Sequence, residues 1–180
     1  GVLSGLIELS LGANSLTGYL PPILGSLTDL SQLDLSDNFL TGNVLIITSM
    51  RNVGLLQLSN NCFTGVLPVE PLNPKLAVLE LSNNQLSGSI PSVLKHQVSS
   101  LSYLNLFENR FTGPLPLLNL DIYSYDVSDN SFTGTLPAVV SRGLASISIA
   151  GTLVEGTLPA TLFSSSVLHT VDVSGTQIGR

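Results

Sequence analysis

The chain has 180 residues, of which 43% are hydrophobic and only 10% are charged, with 6 basic and 12 acidic side chains. A typical soluble domain carries about 25% charged residues, so the polar surface here must consist mainly of Ser, Thr, Asn and Gln. The net charge of −6 argues against binding to nucleic acid or to an anionic membrane, because both need clustered Lys and Arg. A single cysteine excludes an internal disulfide framework, and no apolar run approaches the roughly 20 residues of a membrane span.

One sequence pattern repeats along the whole chain. In its first copy, Leu9 and Leu11 precede Asn14, and Leu16 and Gly18 follow it. We call the Asn of each copy, or the Thr that replaces it in the last two copies, the anchor, and we number the other positions relative to it. The eight anchors are Asn14, Asn38, Asn61, Asn84, Asn109, Asn130, Thr152 and Thr176.

Each copy predicts one short strand followed by a turn. Apolar residues at positions −5 and −3 have a period of two, which buries one strand face and leaves positions −6 and −4 outside. The anchor amide can satisfy backbone groups in a place that water cannot reach. Gly at position +4 indicates permissive backbone dihedrals or close packing. Since one copy cannot bury its apolar face alone, the copies must stack around a shared core.

Three segments depart from the pattern, in chain order. Leu45 replaces the usual Pro of the second copy, so we expect a differently shaped segment at 44–53. The longest connection, 92–100, predicts one helical turn. The connection that contains Pro114 and Pro116 leaves little room for a helix.

The repeated pattern resembles the leucine-rich repeat family, LxxLxLxxNxL. Its second half is similar to the plant-specific class, xGx[IL]P, as in LTGYLP, FTGVLP, LSGSIP, FTGPLP, FTGTLP and VEGTLP. Similar repeats occur in plant receptor kinases, in polygalacturonase-inhibitor proteins and in bacterial and protist surface proteins. The resemblance implies a β-dominated α/β solenoid, a right-handed superhelix with a concave parallel sheet of about eight short strands and a mostly irregular or 3₁₀ convex side. We expect residues 1–180 to be a single array of about eight units, and an uncapped segment of a longer parent chain.

Candidates for catalysis or metal binding are few. His96 and His169 lie about three coils apart, which at a strand spacing of about 4.8 Å is too far for one site. Cys62 has neither a neighbouring His nor a CxxC partner, so an inert thiol is favoured. The sequence has no P-loop, GxSxG, HExxH or dinucleotide motif. We therefore expect no enzymatic activity, no cofactor and no bound metal.

The candidate binding site lies on the outward strand positions. Three consecutive copies place Leu55, Val78 and Tyr103 at position −6, and Phe107 lies beside Tyr103 at position −2. Exposed apolar clusters with polar surroundings mark interaction sites, and aromatic residues are enriched in binding hot spots. The predicted polar surroundings are Gln57, Glu80, Asn105, Glu108, Arg110 and Asp126. The alternative is that Leu55 and Val78 are ordinary strand-forming residues.

Acidic residues are concentrated on the same predicted strip. Eight of the twelve acids fall at positions −6, −4 or −1, together with one base, Arg110. Asp at these positions is also common in the family for solubility, so a functional and a solubilising role both remain open. A third row has Thr or Ser at position +3, which indicates a second short sheet with hydroxyl ladders and raises ice binding as a further function. Its members are Thr17, Thr41, Thr64, Ser87, Thr112 and Thr133.

The sequence favours a non-catalytic recognition module that binds a protein or peptide ligand on its concave face, as in a cell-surface receptor ectodomain. Two alternatives stay open: a structural surface-coat array without a specific ligand, and an inhibitor of a cell-wall hydrolase. The expected partners include no nucleic acid, and we expect no membrane insertion within this segment. The resemblance implies an extracellular or cell-surface location.

Overall fold

The computed structural model describes residues 3, 5–90, 100–115, 122–138 and 141–179. Within these residues the chain forms a solenoid in which each coil contributes one strand to each of two parallel sheets. The first sheet, here called the concave sheet, has eight three-residue strands in chain order, which confirms the predicted fold. They are β1 (Glu8–Ser10), β3 (Gln32–Asp34), β5 (Leu55–Gln57), β7 (Val78–Glu80), β9 (Tyr103–Asn105), β11 (Ser124–Asp126), β13 (Ser146–Ser148) and β15 (Thr170–Asp172).

The other eight strands form the second sheet, which the row of Thr and Ser at position +3 predicts. They are β2 (Thr17–Tyr19), β4 (Phe39–Gly42), β6 (Cys62–Val66), β8 (Gln85–Ser89), β10 (Arg110–Pro114), β12 (Ser131–Thr135), β14 (Leu153–Gly156) and β16 (Gln177–Ile178). Its register is staggered, since Thr41 at position +3 lies opposite Cys62 at position +1 of the next coil. The hydroxyls of Thr41 and Ser87 donate to backbone carbonyls of the preceding coil rather than forming the ladder that the sequence suggested.

Short 3₁₀ helices connect some of the coils on the convex side. They span Pro22–Ser26, Leu45–Ser49 and Ala160–Ser164. The segment that begins at Leu45 was expected to differ, yet it forms the same kind of helix and buries Ile47 as the first helix buries Leu24. The helical turn predicted for 92–100 falls almost entirely outside the described residues.

The core fills the space between the two sheets. Leucines at positions −5 and −3 of the inner coils are buried, as Leu56 and Leu58, at 2% and 0% exposed, illustrate. Three phenylalanines at position +2 are fully buried, and the ring of Phe111 stacks on that of Phe132 at 6.1 Å between centroids. The apolar face of each coil is therefore covered by its neighbours, which is how stacked repeats share one core.

A ladder of side-chain amides joins the coils. Asn61 Nδ2 donates to the carbonyl oxygen of Leu35 in the preceding coil at 2.9 Å, and to those of Leu58 and Ser59 in its own coil. Its Oδ1 accepts the N–H of Leu40 in the preceding coil at 2.9 Å. Bonds of the same kind are made by Asn38, Asn84, Asn109 and Asn130.

The ladder changes at both ends. Asn14 is exposed, and its amide donates only to Leu11 and Gly12 in its own turn. Thr152 and Thr176 donate to carbonyls three residues earlier in their own coils. A hydroxyl on a short side chain closes the turn but does not reach the preceding coil as the amide does.

The turn after each concave strand needs a left-handed residue at position −1. This conformation is adopted by Ala13, Asp37, Asn60, Asn83, Glu108 and Asp129, with φ between 49° and 54°. Asn and Asp tolerate it better than other non-glycine residues do. The last two coils have Gly151 and Gly175 there, with φ of 65° and 70°. Backbone geometry therefore explains why Asp recurs at this position without any role in binding.

Candidate functional site

The outward positions of the concave sheet form two straight columns of side chains. Residues at −6 lie directly opposite one another, and so do residues at −4, as the pairs Leu55–Val78 and Gln57–Glu80 illustrate. Tyr103 continues the first column and Asn105 the second. Leu55 and Val78 are partly buried, whereas 42% of Tyr103 is exposed. The predicted apolar row thus lies on one continuous surface and ends in its most exposed member.

A pocket of about 220 Å³ lies beside Tyr103 on this surface. It arises because the −6 column changes from large to small side chains, from Tyr103 to Ser124 and Ser146. The residues that line it are Glu80, Tyr103, Leu104, Asn105, Ser124, Asp126, Ser146 and Ser148. Four predicted site residues, Glu80, Tyr103, Asn105 and Asp126, are therefore brought together in one cavity.

Tyr103 is supported by a second aromatic ring. The centroid of the Tyr123 ring lies 5.5 Å from that of Tyr103, and the two rings are tilted by 44°. This distance is within the range that aromatic pairs prefer. Tyr123 is not among the site residues predicted from the sequence. A signal was available, because position −7 otherwise has Ile, Ser, Gly, Ala, Ser, Ala and His, so that Tyr123 is the one aromatic residue of its column.

Most carboxylates of the −4 column are engaged by their own turns. Asp126 Oδ1 accepts hydrogen bonds from the backbone N–H and from the hydroxyl of Ser128. Asp34 makes the equivalent bonds with Ser36. At Asp172 the N–H and hydroxyl of Ser174 hold the pKa of the carboxyl below its usual value. These Asp residues stabilise the end of the strand, which is a structural role that the sequence analysis did not consider.

Glu80 is different, because its carboxylate does not accept a hydrogen bond from the Ser two residues later. The hydroxyl of Ser82, which would face the carboxylate in the other coils, donates instead to the hydroxyl of Ser59 at 3.0 Å. Among the described residues, the only hydrogen bond of the Glu80 carboxylate is a long one of 3.5 Å from Gln57 Nε2. Glu80 is therefore the pocket carboxylate most available to a ligand.

Three predicted site residues lie outside the two outward columns. Phe107 and Glu108 are in the turn after β9, where Phe107 is partly buried and Glu108 is exposed with a φ of 51°. The prediction that Arg110 belongs to the concave face is wrong. Arg110 begins β10 of the second sheet, and its guanidinium donates to Gln85 Oε1 at 3.1 Å. The turn at Glu108 separates the two sheets, so Arg110 faces a different surface.

The charge of the concave sheet is accordingly more one-sided than the sequence suggested. When only positions −6 and −4 of the concave strands are counted, and the turn residues and Arg110 are left out, the sheet has five outward acids and no outward Lys or Arg. The five acids are Glu8, Asp34, Glu80, Asp126 and Asp172. A ligand on this face therefore meets a purely negative surface.

The other residues considered for chemistry do not converge. Cys62 is a partly buried free thiol. His169 is exposed, with Nδ1 3.0 Å from the hydroxyl of Thr170, and His96 lies outside the described residues. Tyr125 is 1% exposed, and burial raises the pKa of its phenol well above the usual value, so it belongs to the core. In the described part of the chain, no group of three His, Cys, Asp or Glu side chains is arranged to hold a metal ion.

A larger groove of about 710 Å³ lies on the convex side, between the second and third coils. Its charged residues are one base, Arg51, and one acid, Glu70. No aromatic residue is among the described residues that line this groove. We therefore place the candidate site at the concave pocket. Of the helices that the structure describes, none is long and apolar enough to cross a membrane.

Comparisons with known proteins show what the chain is similar to. A family model described as Leucine Rich Repeat matches residues 5–27 and 75–97. No curated protein matches the chain.

Several solved structures of plant proteins are similar. The plant peptide hormone receptor RGFR1, in complex with RGF2, is 25% identical with a TM-score of 0.90, over 98% of this chain and 29% of that chain. The ectodomain of the Arabidopsis thaliana membrane receptor kinase GASSHO1/SCHENGEN3, in complex with Casparian strip integrity factor 2, is 27% identical with a TM-score of 0.80, over 98% of this chain and 25% of that chain. A plant ice-binding protein is 25% identical with a TM-score of 0.77, over 98% of this chain and 66% of that chain. The chain thus spans less than a third of either receptor.

Proposed function

We propose that the chain, a solenoid similar to plant leucine-rich repeat receptors, is a non-catalytic, extracellular recognition module that binds a peptide segment on its concave sheet. The observation that carries the proposal is the outward surface of β5, β7, β9 and β11. There an apolar row leads to an exposed tyrosine and to a pocket that contains two carboxylates. The similarity to a peptide hormone receptor in complex with RGF2 supports the same function.

The surface suits an extended peptide. Leu55, Val78 and Tyr103 span three neighbouring strands, which is about 10 Å at the usual strand spacing. This length corresponds to about three residues of an extended chain. Apolar side chains of the peptide would cover the row, while the carboxylates would orient polar groups and raise the rate of association of a basic ligand.

We expect aromatic residues of the site to contribute more affinity than its carboxylates. A phage library of random linear peptides, selected on the intact protein, supplies the ligand. Binding of the selected peptides by calorimetry should weaken at least about thirtyfold in the Tyr103→Ala, Phe107→Ala double variant, as expected for a hot spot. The Glu80→Gln, Asp126→Asn variant should show a smaller loss that decreases with added salt.

A variant of the second sheet provides the control. Tyr19 is 77% exposed and lies on the other surface, so Tyr19→Ser should leave peptide affinity unchanged. Selected peptides that lose affinity with Tyr19→Ser and keep it with the aromatic double variant would contradict the concave site. Failure to select any saturable peptide would favour a structural array without a ligand.

The second sheet supports a second candidate function, ice binding. Thr17, Thr64, Thr112 and Thr133 are exposed on the first, third, fifth and sixth coils, and the chain is similar to a plant ice-binding protein. The hydroxyl row repeats at the spacing of the strands, about 4.8 Å. Regular spacing of this kind is what recognition of a crystal lattice requires.

Ice recrystallisation assays test this candidate. The wild-type protein should slow crystal growth, and a Thr64→Lys, Thr112→Lys variant should lose the effect because two long charged side chains disrupt the row. Glu80→Gln, on the opposite sheet, should retain it. Crystal growth at the rate seen with an inert protein would eliminate ice binding.

A further inference from the structure

We propose that the pocket beside Tyr103 holds the cationic head group of an arginine or lysine side chain of the bound peptide. This inference rests on the proposed function and specifies the ligand chemistry at one point of the site. It draws on the size of the cavity, on the groups that line it and on the exposed tyrosine pair.

The cavity has the size of a side-chain head group. Its volume of about 220 Å³ corresponds to about seven water molecules at the roughly 30 Å³ that each occupies in the liquid. Sites for whole small molecules usually have volumes of about 300–1,000 Å³. The pocket therefore accepts one group that projects from a longer ligand lying across the sheet.

The polar groups that line the pocket are suited to a hydrogen-bond donor with positive charge. Glu80 and Asp126 lie in the −4 column on β7 and β11, two strands apart, so that the two residues are separated by about 10 Å. Asn105 lies between them in the same column. A cation placed at this midpoint has a carboxylate about 5 Å away on either side, and no Lys or Arg is among the described residues that line the cavity.

Both carboxylates have acceptor capacity left. Within the described part of the chain, Glu80 accepts only the long hydrogen bond from Gln57. Asp126 uses Oδ1 for Ser128, which leaves Oδ2 for a ligand, since each carboxylate oxygen can accept on its own. Guanidinium and ammonium groups carry donors and no acceptor, so they match this lining, whereas an anionic or acceptor-only group would be repelled.

The tyrosine pair supplies a second contact for the same group. Tyr103 lines the pocket and is 42% exposed, and the centroid of the Tyr123 ring lies 5.5 Å from that of its own ring. A cation near an aromatic ring is attracted by its negative face. The planar guanidinium of Arg can also stack on the ring and offers five donors in a fixed fork, so we expect Arg to bind more tightly than Lys.

Tyrosine ring signals in an NMR titration test the inference. The probes are N-acetyl-arginine amide, N-acetyl-lysine amide and N-acetyl-citrulline amide, the last having the shape of the arginine probe without its charge. The arginine probe should move the signals of Tyr103 and Tyr123 in a saturable way, and the citrulline probe should bind at least about tenfold more weakly, because charge-assisted hydrogen bonds are lost. Tyr19 and Tyr125, which lie elsewhere, serve as internal references.

Two matched variants locate the contact. Glu80→Gln should weaken binding of the arginine probe about tenfold. Glu108→Gln, an acid in the turn outside the pocket, should leave it unchanged. Equal shifts with arginine and citrulline probes, no saturable shift of Tyr103, or equal effects of the two variants would each overturn the inference.

The outcome is separable from that of the proposed function. Peptides selected from the library that bind the concave sheet, without enrichment of Arg or Lys and without sensitivity to Glu80→Gln, would retain the proposed function and remove the cation pocket. Saturable binding of the arginine probe, together with selected peptides that bind only the second sheet, would retain the cation pocket and remove the proposed function.

Discussion

Replacing Asn84 with Ala should lower the free energy of unfolding by about 2–3 kcal/mol, the cost of leaving a buried polar group unpaired. The Asn84 amide donates to Leu58, Leu81 and Ser82, and its Oδ1 accepts the N–H of Phe63. The carbonyls keep other donors, for example Asn61 at Leu58 and Asn109 at Leu81. The N–H of Phe63 is therefore the group that the substitution leaves without a partner.

Urea denaturation measures the effect, and Asn14→Ala is its control. Asn14 is exposed and bonds only within its own turn, so its loss should change stability by less than about 0.5 kcal/mol. Because stability in stacked repeats depends on neighbouring interfaces, Asn84→Ala should also make local unfolding more frequent in the coils on both sides of its own. Equal losses in the two variants would mean that the inner ladder has no special role.

Replacing Phe111 with Ala should have the largest effect, a loss of about 3–5 kcal/mol. Phe111 is fully buried and stacks on Phe132 in the next coil. Removal of the ring opens a cavity in the middle of the array, where the flanking coils are held by their own hydrogen bonds and cannot collapse into it. Unfolding midpoints in urea, with the slope m checked for constancy, give the change.

Phe111→Leu separates cavity formation from any other disturbance. Leu occupies the same position in other coils, as Leu40 and Leu86 do, so this variant should cost less than about 1.5 kcal/mol. If both substitutions at position 111 cost the same small amount, the stacked phenylalanines would not be a main source of stability.

Much of the fold follows from the sequence because a repeat converts positions into columns. Leu at −5 and −3 defines the buried face, and equal spacing of the copies brings Leu55, Val78 and Tyr103 opposite one another. The same regularity predicts that anchor amides lie inside the stack. These properties depend on period and on residue type alone, so no side-chain detail is needed to infer them.

Other features could not be inferred in this way. Arg110 is only two residues after Glu108, but a left-handed turn and a change of sheet separate them, and neither is visible in a linear pattern. The pocket results from a size difference between Tyr103 and Ser124 on adjacent strands. The carboxylate of Glu80 receives no hydrogen bond from Ser82 because that hydroxyl donates to Ser59. Both depend on contacts between particular neighbours, which the repeat pattern averages out.

The chain has four tyrosines that report separately on its surfaces. Tyr103 and Tyr123 are 42% and 43% exposed at the concave pocket, Tyr19 is 77% exposed on the second sheet, and Tyr125 is 1% exposed in the core. Nitration with tetranitromethane, read by peptide mass spectrometry with and without a library-selected peptide, therefore tests the concave site most directly. Binding should protect Tyr103 and Tyr123 and leave Tyr19 as reactive as before. Protection of Tyr19, with Tyr103 and Tyr123 still fully reactive, would contradict recognition on the concave sheet.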